Sequence, residues 1–418
     1  MMLSSQQQQC NAHFVVLTML SSTASLVSHG FDDARSQLTP TRPFDPPPPN
    51  WAPNWNLTQA TVVQPGGGEA NKNNQTAGPG HYWMPADGHT WGLVQIDSSI
   101  AACRSGAHAD PDFSHPHHGN TTMCEAAMRE NCRRLKMAGK ATRCMLYHNF
   151  ELALEWLESQ RVAMYDSSKR DLFLQWPNGT LYSRGSYPNG VGMMLYWNYS
   201  NPAAGEYVIS SILDSVNGSD VDGTFTDDSS GGFPEHGYVA ADLKDSMNFT
   251  QFYRDSNNTY VRLVYALTAA GKTNWQSLSR GRGSGSMSRA LNGMPFSNST
   301  CAAYVRGMCS TTRSEPQRPL LMQGPCGESE KNGQVHCNHV NQTVAAFLIV
   351  RPSLAWLGNG WESDDAVWNA AYLLQPGEPV GDCEEEAGAA GVFSRRWSNG
   401  VAKLDCNTWS AVLPFPSL

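Results

Sequence analysis

Short apolar runs alternate with amphipathic stretches from residue 91 onward, and this alternation constrains the fold more than any other feature of the chain. The strand-like runs are WGLVQID (91–97), RCMLYH (143–148), VGMMLYWN (191–198), DGTFTD (222–227), TNWQSLS (273–279) and RPLLMQG (318–324). Between most of them the apolar residues recur every three or four positions, which is the period of a helix. Strands that alternate with helices predict βαβ units and a parallel sheet.

Helix signals lie in the intervening stretches. The pattern predicts helices over residues 121–140, 149–161 and 201–218. In the last of these, Asn201 is a good N-cap, and Pro202 suits the first helical position because proline needs no hydrogen-bond acceptor there. Asn149 is the expected N-cap of the helix over residues 149–161.

Six or more such units fit a (β/α)8 TIM-type barrel of about 250 residues, and we expect this barrel over residues 86–375. A doubly wound open sheet is the alternative, but the chain contains neither GxGxxG nor GxxxxGK to support nucleotide binding on it. Residues 343–350 fit either a helix or a strand. After residue 375, short alternating runs around SNG predict a β-hairpin, so we expect a small C-terminal β-segment over residues 376–418.

The N-terminal region has two parts. Residues 14–27 form an apolar stretch that ends in small residues and resembles the core of a secretory signal, so we interpret residues 1–28 as a signal peptide. A disordered leader is the alternative, since the positive charges that usually precede such a core are missing. Residues 29–85 are rich in Pro, Gly and Asn and are expected to be extended or irregular, with Trp51 and Trp55 as anchors.

Glycosylation signals and cysteines support passage through the secretory pathway. The chain has eleven cysteines, of which ten remain if Cys10 is removed with the signal peptide, and we expect at least three disulfide bonds. It also has ten N-x-S/T sequons, more than chance would give. They lie at Asn56, Asn74, Asn120, Asn178, Asn198, Asn217, Asn248, Asn257, Asn298 and Asn341.

Helix geometry limits how the cysteines can pair. Cys124 and Cys132 are eight residues apart in one predicted helix, which separates them by about 12 Å along the helix axis. A disulfide requires Cα atoms within about 7 Å, so these two are not expected to pair. The pairs favoured instead, because they flank loop-like sequence, are Cys301–Cys309 and Cys383–Cys406.

Charge and composition exclude several classes of partner. The formal net charge of −8 argues against nucleic acid and against anionic membrane surfaces. No apolar run reaches the roughly 20 residues that span a bilayer, so no transmembrane segment is predicted. The glycines of residues 279–293 are interpreted as a flexible loop, and no cofactor is expected.

A histidine cluster over residues 108–120 is the one feature that could instead indicate a bound metal ion. His115, His117 and His118 could ligate a divalent metal together with Asp110 or Asp112. The cluster contains two prolines and no regular element, so a solvated loop is the favoured interpretation.

Polar and aromatic side chains collect where the predicted strands end, which is the catalytic face of a barrel. Carboxylates, amides and aromatic rings at such ends suit a sugar, because carboxylates supply acid–base or nucleophilic chemistry and rings stack on pyranose faces. The strand-end residues are Asp97, His148, Asn149, Trp197, Asn198, Asp227 and Asp228.

Three segments resemble the glycoside-hydrolase-like TIM-barrel proteins of glycosyl hydrolase-like family 15 and their eukaryotic relatives. The shared features are the Asn-Pro helix start at Asn201, the strand DGTFTD, which corresponds to a DGVFLD-type strand, and the hairpin RRWSNGVAKL (395–404). The resemblance covers about residues 90–412 and rests on the order and spacing of these segments. It implies a barrel with a C-terminal β-segment and glycosidase activity on a poly- or oligosaccharide.

Carried over to this chain, the resemblance makes Asp227 the acid of the DGVFLD-type strand, which is the nucleophile in related retaining barrel glycosidases. Their acid/base follows the sixth strand, where this chain departs from the pattern: Gln323 stands at the strand end and Glu328 follows five residues later. Asp228 is expected to support Asp227, and Glu235 is a second candidate for the proton donor. A non-catalytic carbohydrate-binding protein and a structural extracellular glycoprotein on the same barrel remain the alternatives.

Overall fold

The computed structural model describes residues 50–65, 82–97, 124–186, 193–218, 220–227, 247–276, 286–287, 298–317, 319–324, 326–328, 335–337, 339–359 and 365–416. In chain order the helices are α1 (Cys124–Met137), α2 (Glu158–Tyr165), α3 (Pro202–Ser215), α4 (Phe249–Ala269), α5 (Asn298–Ser314) and α6 (Val340–Val350). The strands are β1 (Thr61–Val63), β2 (Trp91–Ile96), β3 (Ala141–Asn149), β4 (Leu152–Leu154), β5 (Ser183–Ser186), β6 (Met193–Tyr196), β7 (Gly223–Asp227), β8 (Thr273–Gln276), β9 (Ser286–Met287), β10 (Leu320–Gln323), β11 (Cys326–Glu328), β12 (Val335–Cys337), β13 (Ala355–Asn359), β14 (Glu384–Glu385), β15 (Val392–Trp397), β16 (Gly400–Asp405) and β17 (Ser410–Val412).

Eight parallel strands form the main sheet, in the order β8-β7-β3-β2-β1-β13-β10-β9. The first strand in the described part of the chain, β1, lies between β2 and β13, the last strand of this order along the chain. The two strands at the ends of this order, β8 and β9, are consecutive along the chain. The predicted α/β class with a parallel sheet is therefore confirmed, and the strand order is consistent with a (β/α)8-like barrel.

Strand β1 belongs to the segment that was expected to be extended or irregular, so the sheet begins before residue 86. The strand lies very close to its two neighbours, because both present a glycine to the backbone of this segment. A Cβ atom on Gly92 would come within 1.9 Å of the carbonyl oxygen of Gln59, and one on Gly358 within 1.9 Å of that of Val62. Any side chain at either glycine would therefore push β1 out of the sheet.

The side chain of Asn54 continues this contact below β1. Its Nδ2 donates to the carbonyl oxygen of Ala355 at 2.7 Å, and its Oδ1 accepts from the amide of Ala355 at 3.1 Å, as a neighbouring strand would. The buried guanidinium of Arg351 donates to the carbonyl oxygen of Asn54 at 2.7 Å. The predicted anchors of this segment pack edge-on against tryptophans of the folded unit, Trp51 against Trp356 and Trp55 against Trp397.

The prediction that residues 191–198 form a strand of the parallel sheet is wrong. Strand β6 lies between β4 and β5 and pairs antiparallel with both, in a separate three-stranded sheet that we call the small sheet. The reason is that an apolar run of this length fits any buried strand, and its pattern does not specify which partner it pairs with. The small sheet lies in the connection between β3 and α3.

The helix predicted over residues 149–161 is also wrong. Asn149 is the last residue of β3, and its Oδ1 accepts hydrogen bonds from the amides of Glu151 at 3.0 Å and Leu152 at 2.7 Å. These bonds turn the chain directly into β4 instead of capping a helix, which begins only at Glu158. An asparagine side chain stabilises turns as well as helix starts, so its presence alone did not distinguish the two.

Other predicted helices agree with the structure. The stretch over residues 121–140 contains α1, and the stretch over residues 201–218 contains α3. The Oδ1 of Asn201 accepts from the amide of Ala203 at 3.0 Å, as an N-cap does. Residues 343–350, which fitted either element, are the buried part of helix α6. Helix α6 packs against β16 and β17 of a four-stranded antiparallel C-terminal sheet, β14-β15-β16-β17, in which β15 and β16 flank the SNG turn.

Disulfide bonds are present, but the favoured pairs are wrong. The bonds are Cys132–Cys144, Cys301–Cys406 and Cys309–Cys383, and Cys124 and Cys337 are disulfide-bonded as well. Cys301 and Cys309 both lie in α5, eight residues apart, and so cannot reach each other for the same reason as Cys124 and Cys132. Each instead bonds to the C-terminal region, which holds α5 against it. The expectation of at least three disulfides is met.

No helix within the described residues is both long and apolar enough to cross a membrane.

We expect Asn54→Ala to lower the free energy of unfolding by about 3 kcal/mol, because it leaves the amide and carbonyl of Ala355 without their side-chain partner and removes one of the two hydrogen bonds from the Arg351 guanidinium to residue 54. Urea denaturation followed by tryptophan fluorescence, with the disulfides intact, measures this. Asn258→Ala, at an exposed position of α4, is the control and should change the value by less than about 0.5 kcal/mol. Equal stability of the two variants would contradict the importance of the Asn54 contact.

Candidate active site

A carboxylate, a phenol and an amide meet where β3 and β7 end. Asn149 and Asp227 are register partners in the last pair of the β3–β7 ladder, and the amide of Phe150 donates to the carbonyl oxygen of Asp227 at 2.9 Å. The Tyr147 hydroxyl donates to Oδ2 of Asp227 at 3.0 Å, and Nδ2 of Asn149 donates to the Tyr147 hydroxyl oxygen at 3.3 Å. Asp227 is half-buried, whereas the other four residues of β7 are buried.

The alternation of side chains along β3 explains which residues reach this cluster. Tyr147 and Asn149 are two residues apart and so lie on the same face of the sheet. Cys144 and His148 point the opposite way, toward the helices: Cys144 is bonded to Cys132 of α1, and Nε2 of His148 lies 2.6 Å from Oγ of Ser215 in α3. The cluster therefore occupies the face of the sheet opposite these helices.

His148 does not line a pocket with Asp227, which corrects the expectation from its strand-end position. Its side chain is fully buried on the helix side, and burial lowers its pKa to about 4, so it is neutral near pH 7. Within the described residues its Nδ1 has no hydrogen-bond partner. The register explains the error, because a shift of one residue along a strand moves a side chain to the other face.

Asp97 stays a candidate beside Asp227. It directly follows β2 and is largely buried. Gln95 pairs with Met145, and alternation from these two residues places Asp97 on the face that carries Tyr147. The structure therefore brings Asp97, Asn149 and Asp227 to one face and one edge of the main sheet.

Trp197 and Asn198 lie elsewhere, because β6 belongs to the small sheet. The Trp197 side chain is fully buried and stacks on Phe173, with ring centroids 4.9 Å apart. It is part of the core and does not line a pocket with Asp227, contrary to the prediction. Asn198 is half-buried, and its Nδ2 donates to the carbonyl oxygen of Asp171 at 3.3 Å.

The other predicted catalytic residues fall outside the described residues. These are Asp228 and Glu235, together with the histidine cluster of residues 108–120, and most of the glycine-rich stretch of residues 279–293 is outside as well. The backbone of Glu328 forms the end of β11, which pairs antiparallel with β12, but its side chain is not among those described. Among the side chains that the structure does describe, no group of three or more His, Cys, Asp or Glu residues could hold a metal ion.

Tyr147 is the site residue that the sequence reasoning missed. Its signal was available: it precedes Asn149 by two residues in a predicted strand, so the two share a face. A phenol that donates to a carboxylate fixes the orientation of that carboxylate and stabilises its negative charge. The arrangement can therefore present one oriented carboxylate at the end of a parallel sheet.

A parallel sheet with this strand order, whose strand ends carry polar side chains, defines an α/β protein and is consistent with a (β/α)8-like barrel. The sequence identifies the family within that class. Hypothetical glycosyl hydrolase family 15 matches residues 146–401, which is more than half of the chain, and the chain belongs to this family. No curated protein matches the chain.

Solved structures that match the chain include glycoside hydrolases of low sequence identity. A GH31 dextranase from Flavobacterium johnsoniae, complexed with glucose, is 12% identical, with 78% of this chain and 39% of that chain covered and a TM-score of 0.37. A cycloalternan-degrading enzyme from Trueperella pyogenes is 14% identical, with coverage of 81% and 46% and a TM-score of 0.39. An α-N-acetylgalactosaminidase from Bifidobacterium bifidum is 10% identical, with coverage of 86% and 58% and a TM-score of 0.38. The chain thus spans about two fifths to three fifths of the length of these proteins.

We expect His148 to make the protein less stable in acid. Its pKa in the folded state is about 4, below the ordinary value of 6.5, so between these values the unfolded chain binds a proton that the folded chain does not. The contribution of His148 to stability is complete above about pH 6.5 and falls by about 3 kcal/mol as the pH approaches 4. Urea denaturation of wild type and His148→Gln across this range should show a shallower decline for the variant.

His339→Gln, at an exposed histidine, is the control and should keep the wild-type decline. A decline in His148→Gln as steep as that of wild type would mean that His148 is protonated within the folded protein.

Proposed function

We propose that the protein is a secreted glycoside hydrolase that acts on a poly- or oligosaccharide, with Asp227 as a catalytic carboxylate at the C-terminal edge of a closed (β/α)8 barrel. The observation that carries this proposal is the hydrogen bond from Tyr147 to Asp227, at a strand end, in a member of a glycosyl hydrolase family. Glycosidases use a carboxylate held in a fixed orientation beside the sugar.

The contacts around Asp227 suit this chemistry. Its backbone is fixed by the β7 ladder and by the amide of Phe150, so the carboxylate starts from a rigid position. Asn149 supports the hydroxyl of Tyr147, which in turn holds one carboxylate oxygen. Preorganised donors of this kind favour charge at a defined point and need no rearrangement during the reaction. Asp97, on the same face, is proposed to bind substrate hydroxyls with Asn149.

Glycoside hydrolysis requires a second carboxyl group, and we propose that Glu235 or Glu328 supplies it, while Asp228 supports Asp227. A carboxyl group about 5–5.5 Å from Asp227 would make Asp227 the nucleophile of a retaining enzyme, and one about 6.5–9.5 Å away would indicate inversion. Variants of the proton donor still break the bond of aryl glycosides with acidic leaving groups and release the aryl group, because such groups depart without protonation. This behaviour distinguishes the donor from Asp227.

Closure of the barrel and secretion complete the proposal. Strands β8 and β9 stand at the two ends of the strand order, so their association would close the sheet. Disulfide bonds favour an oxidising compartment. Sequon asparagines with an exposed position are Asn56, Asn178, Asn217, Asn248, Asn257 and Asn341.

We expect Asp227→Asn to lower turnover by about 10³-fold or more with the fold intact, because the amide has nearly the same shape but cannot carry the charge. Tyr147→Phe removes one hydrogen bond to a charged group and should lower kcat by roughly 10- to 100-fold. Tyr265→Phe, at an exposed tyrosine of α4, is the matched control and should leave kcat unchanged. Hydrolysis is measured by reducing-end release from a panel of glycans, with circular dichroism to check the fold.

Near-normal turnover of Asp227→Asn on a confirmed substrate would remove Asp227 from the mechanism. Glycan binding without hydrolysis by the wild-type protein would favour the non-catalytic carbohydrate-binding alternative. The absence of both glycan binding and hydrolysis would favour the structural glycoprotein.

A further inference from the structure

A polar cavity lies between the small sheet and the starts of helices α3 and α4. It has a volume of about 330 Å³, which is at the lower end of the range for small-molecule sites. Its lining comes from three places: the segment between β4 and β5, the chain after β6, and Met247, two residues before α4. The residues that matter here are Asp171, Gln175, Asn198, Ser200, Asn201 and Met247.

The amide nitrogens of this lining are already used within the protein. Nδ2 of Asn201 donates to the carbonyl oxygen and to Oδ2 of Asp171, at 3.0 and 3.1 Å. Nδ2 of Asn198 donates to the same carbonyl oxygen, and Nε2 of Gln175 donates to the carbonyl oxygen of Arg170 at 2.9 Å. The oxygens that remain are Oδ1 of Asp171 and the side-chain carbonyls of Asn198 and Gln175. The cavity is therefore rich in acceptors and suits a ligand that donates hydrogen bonds, as sugar hydroxyls do.

The charges of the lining exclude anionic sugars. Among the described residues it contains one carboxylate and no basic side chain. Two basic residues next to Asp171 in the sequence are directed elsewhere: Lys169 pairs with Asp166 at 3.0 Å, and Arg170 donates to the carbonyl oxygen of Gly179 at 3.2 Å. A uronate or a sulfated sugar would meet the Asp171 carboxylate without a cation to offset the repulsion.

One aromatic contact connects the cavity with Asp227. Tyr199, which lies between Asn198 and Ser200 in the sequence, stacks on Phe150 with ring centroids 4.8 Å apart and donates a hydrogen bond to its carbonyl oxygen. The amide of Phe150 in turn donates to the carbonyl oxygen of Asp227. The Phe150–Tyr199 pair therefore links the segment that lines the cavity to the end of β7.

We propose that this cavity is a subsite for an uncharged sugar unit of the glycan whose bond is cleaved at Asp227, one or more units away from that bond. The proposal rests on the proposed function. A subsite of this kind adds binding energy for longer chains, so it affects KM for long substrates and leaves short substrates unchanged.

Asn198 gives the proposal a second consequence. It is a sequon residue, and a glycan would be attached at Nδ2, the atom that donates to Asp171 within the lining. A glycan there would occupy the cavity, so Asn198 must stay unmodified. Asn178 lies in an exposed turn, where its Oδ1 accepts from Thr180 and leaves Nδ2 accessible, so this sequon carries a glycan in the secreted protein.

Binding tests the subsite without requiring turnover. The full chain with Asp227→Asn is applied to a glycan array that contains neutral, N-acetylated and anionic oligosaccharides, and the glycans bound are then titrated by calorimetry. We expect neutral oligosaccharides to bind. Adding Asp171→Asn and Gln175→Ala should weaken binding of the longest ligand by about 10-fold or more and leave its disaccharide unaffected. Asp214→Asn, the same change at an exposed position of α3, is the matched control and should have no effect.

Kinetics separate the subsite from the proposed function. In the otherwise wild-type chain, Asp171→Asn with Gln175→Ala should raise KM for long substrates by about 10-fold with kcat unchanged. If the double variant keeps the wild-type KM for substrates of every length, the subsite proposal is overturned, whereas the proposal of hydrolysis through Asp227 is unaffected. Cavity-dependent glycan binding with no hydrolysis by the wild-type chain would instead overturn the glycosidase.

Three further results would overturn the subsite: no glycan on the array whose binding depends on Asp171, a preference for anionic over neutral glycans, and a glycan on Asn198. Peptide mass mapping of protein secreted from eukaryotic cells decides the last of these, with Asn178 as the internal positive control.

Discussion

The pairing of the first parallel strand with the last is the contact on which the rest of the structure depends. Strand β1 has three residues, and its place between β2 and β13 is secured by Gly92, by Gly358 and by the two hydrogen bonds of Asn54 to Ala355. It joins β2, β3 and β7 to β13 and β10 in one sheet, and the ends of β2, β3 and β7 lie at a common edge because these strands are parallel neighbours. Arg351 extends the contact to the C-terminal sheet, because its carbonyl oxygen accepts from Arg395.

Much of this fold could be predicted from local patterns. Apolar runs and capping residues located β2, β3, β7, α1 and α3, since each has a periodicity or an end signal of its own. Strand β1 had no such signal, because three residues within a segment rich in Pro, Gly and Asn are too few to show an alternation of apolar residues. Their strand conformation depends on pairing with β2 and β13. The sheet membership of β6 and the disulfides of α5 also depend on distant partners, which a local pattern does not specify.

The candidate site was predictable where position along a strand was enough. Asp227 and Asn149 end neighbouring strands and do meet in the structure. His148 failed because it lies one residue from Asn149 and so points to α3, and Trp197 failed because its strand is not in the main sheet. The small sheet that contains β6 provides a different feature, a polar cavity, which no strand-end rule anticipates because it arises from a long connection folded on itself.

The position of β1 between β2 and β13 also has a consequence for the synthesis of the protein. Asn54 and Ala355 are 301 residues apart in the sequence. At roughly 5–20 residues per second, a ribosome takes about 15–60 s to travel from one to the other. For that time the N-terminal strand is outside the ribosome with one edge unpaired, and unpaired edges attract other chains. The shortness of β1 limits this hazard, because three residues offer a stray strand little to pair with.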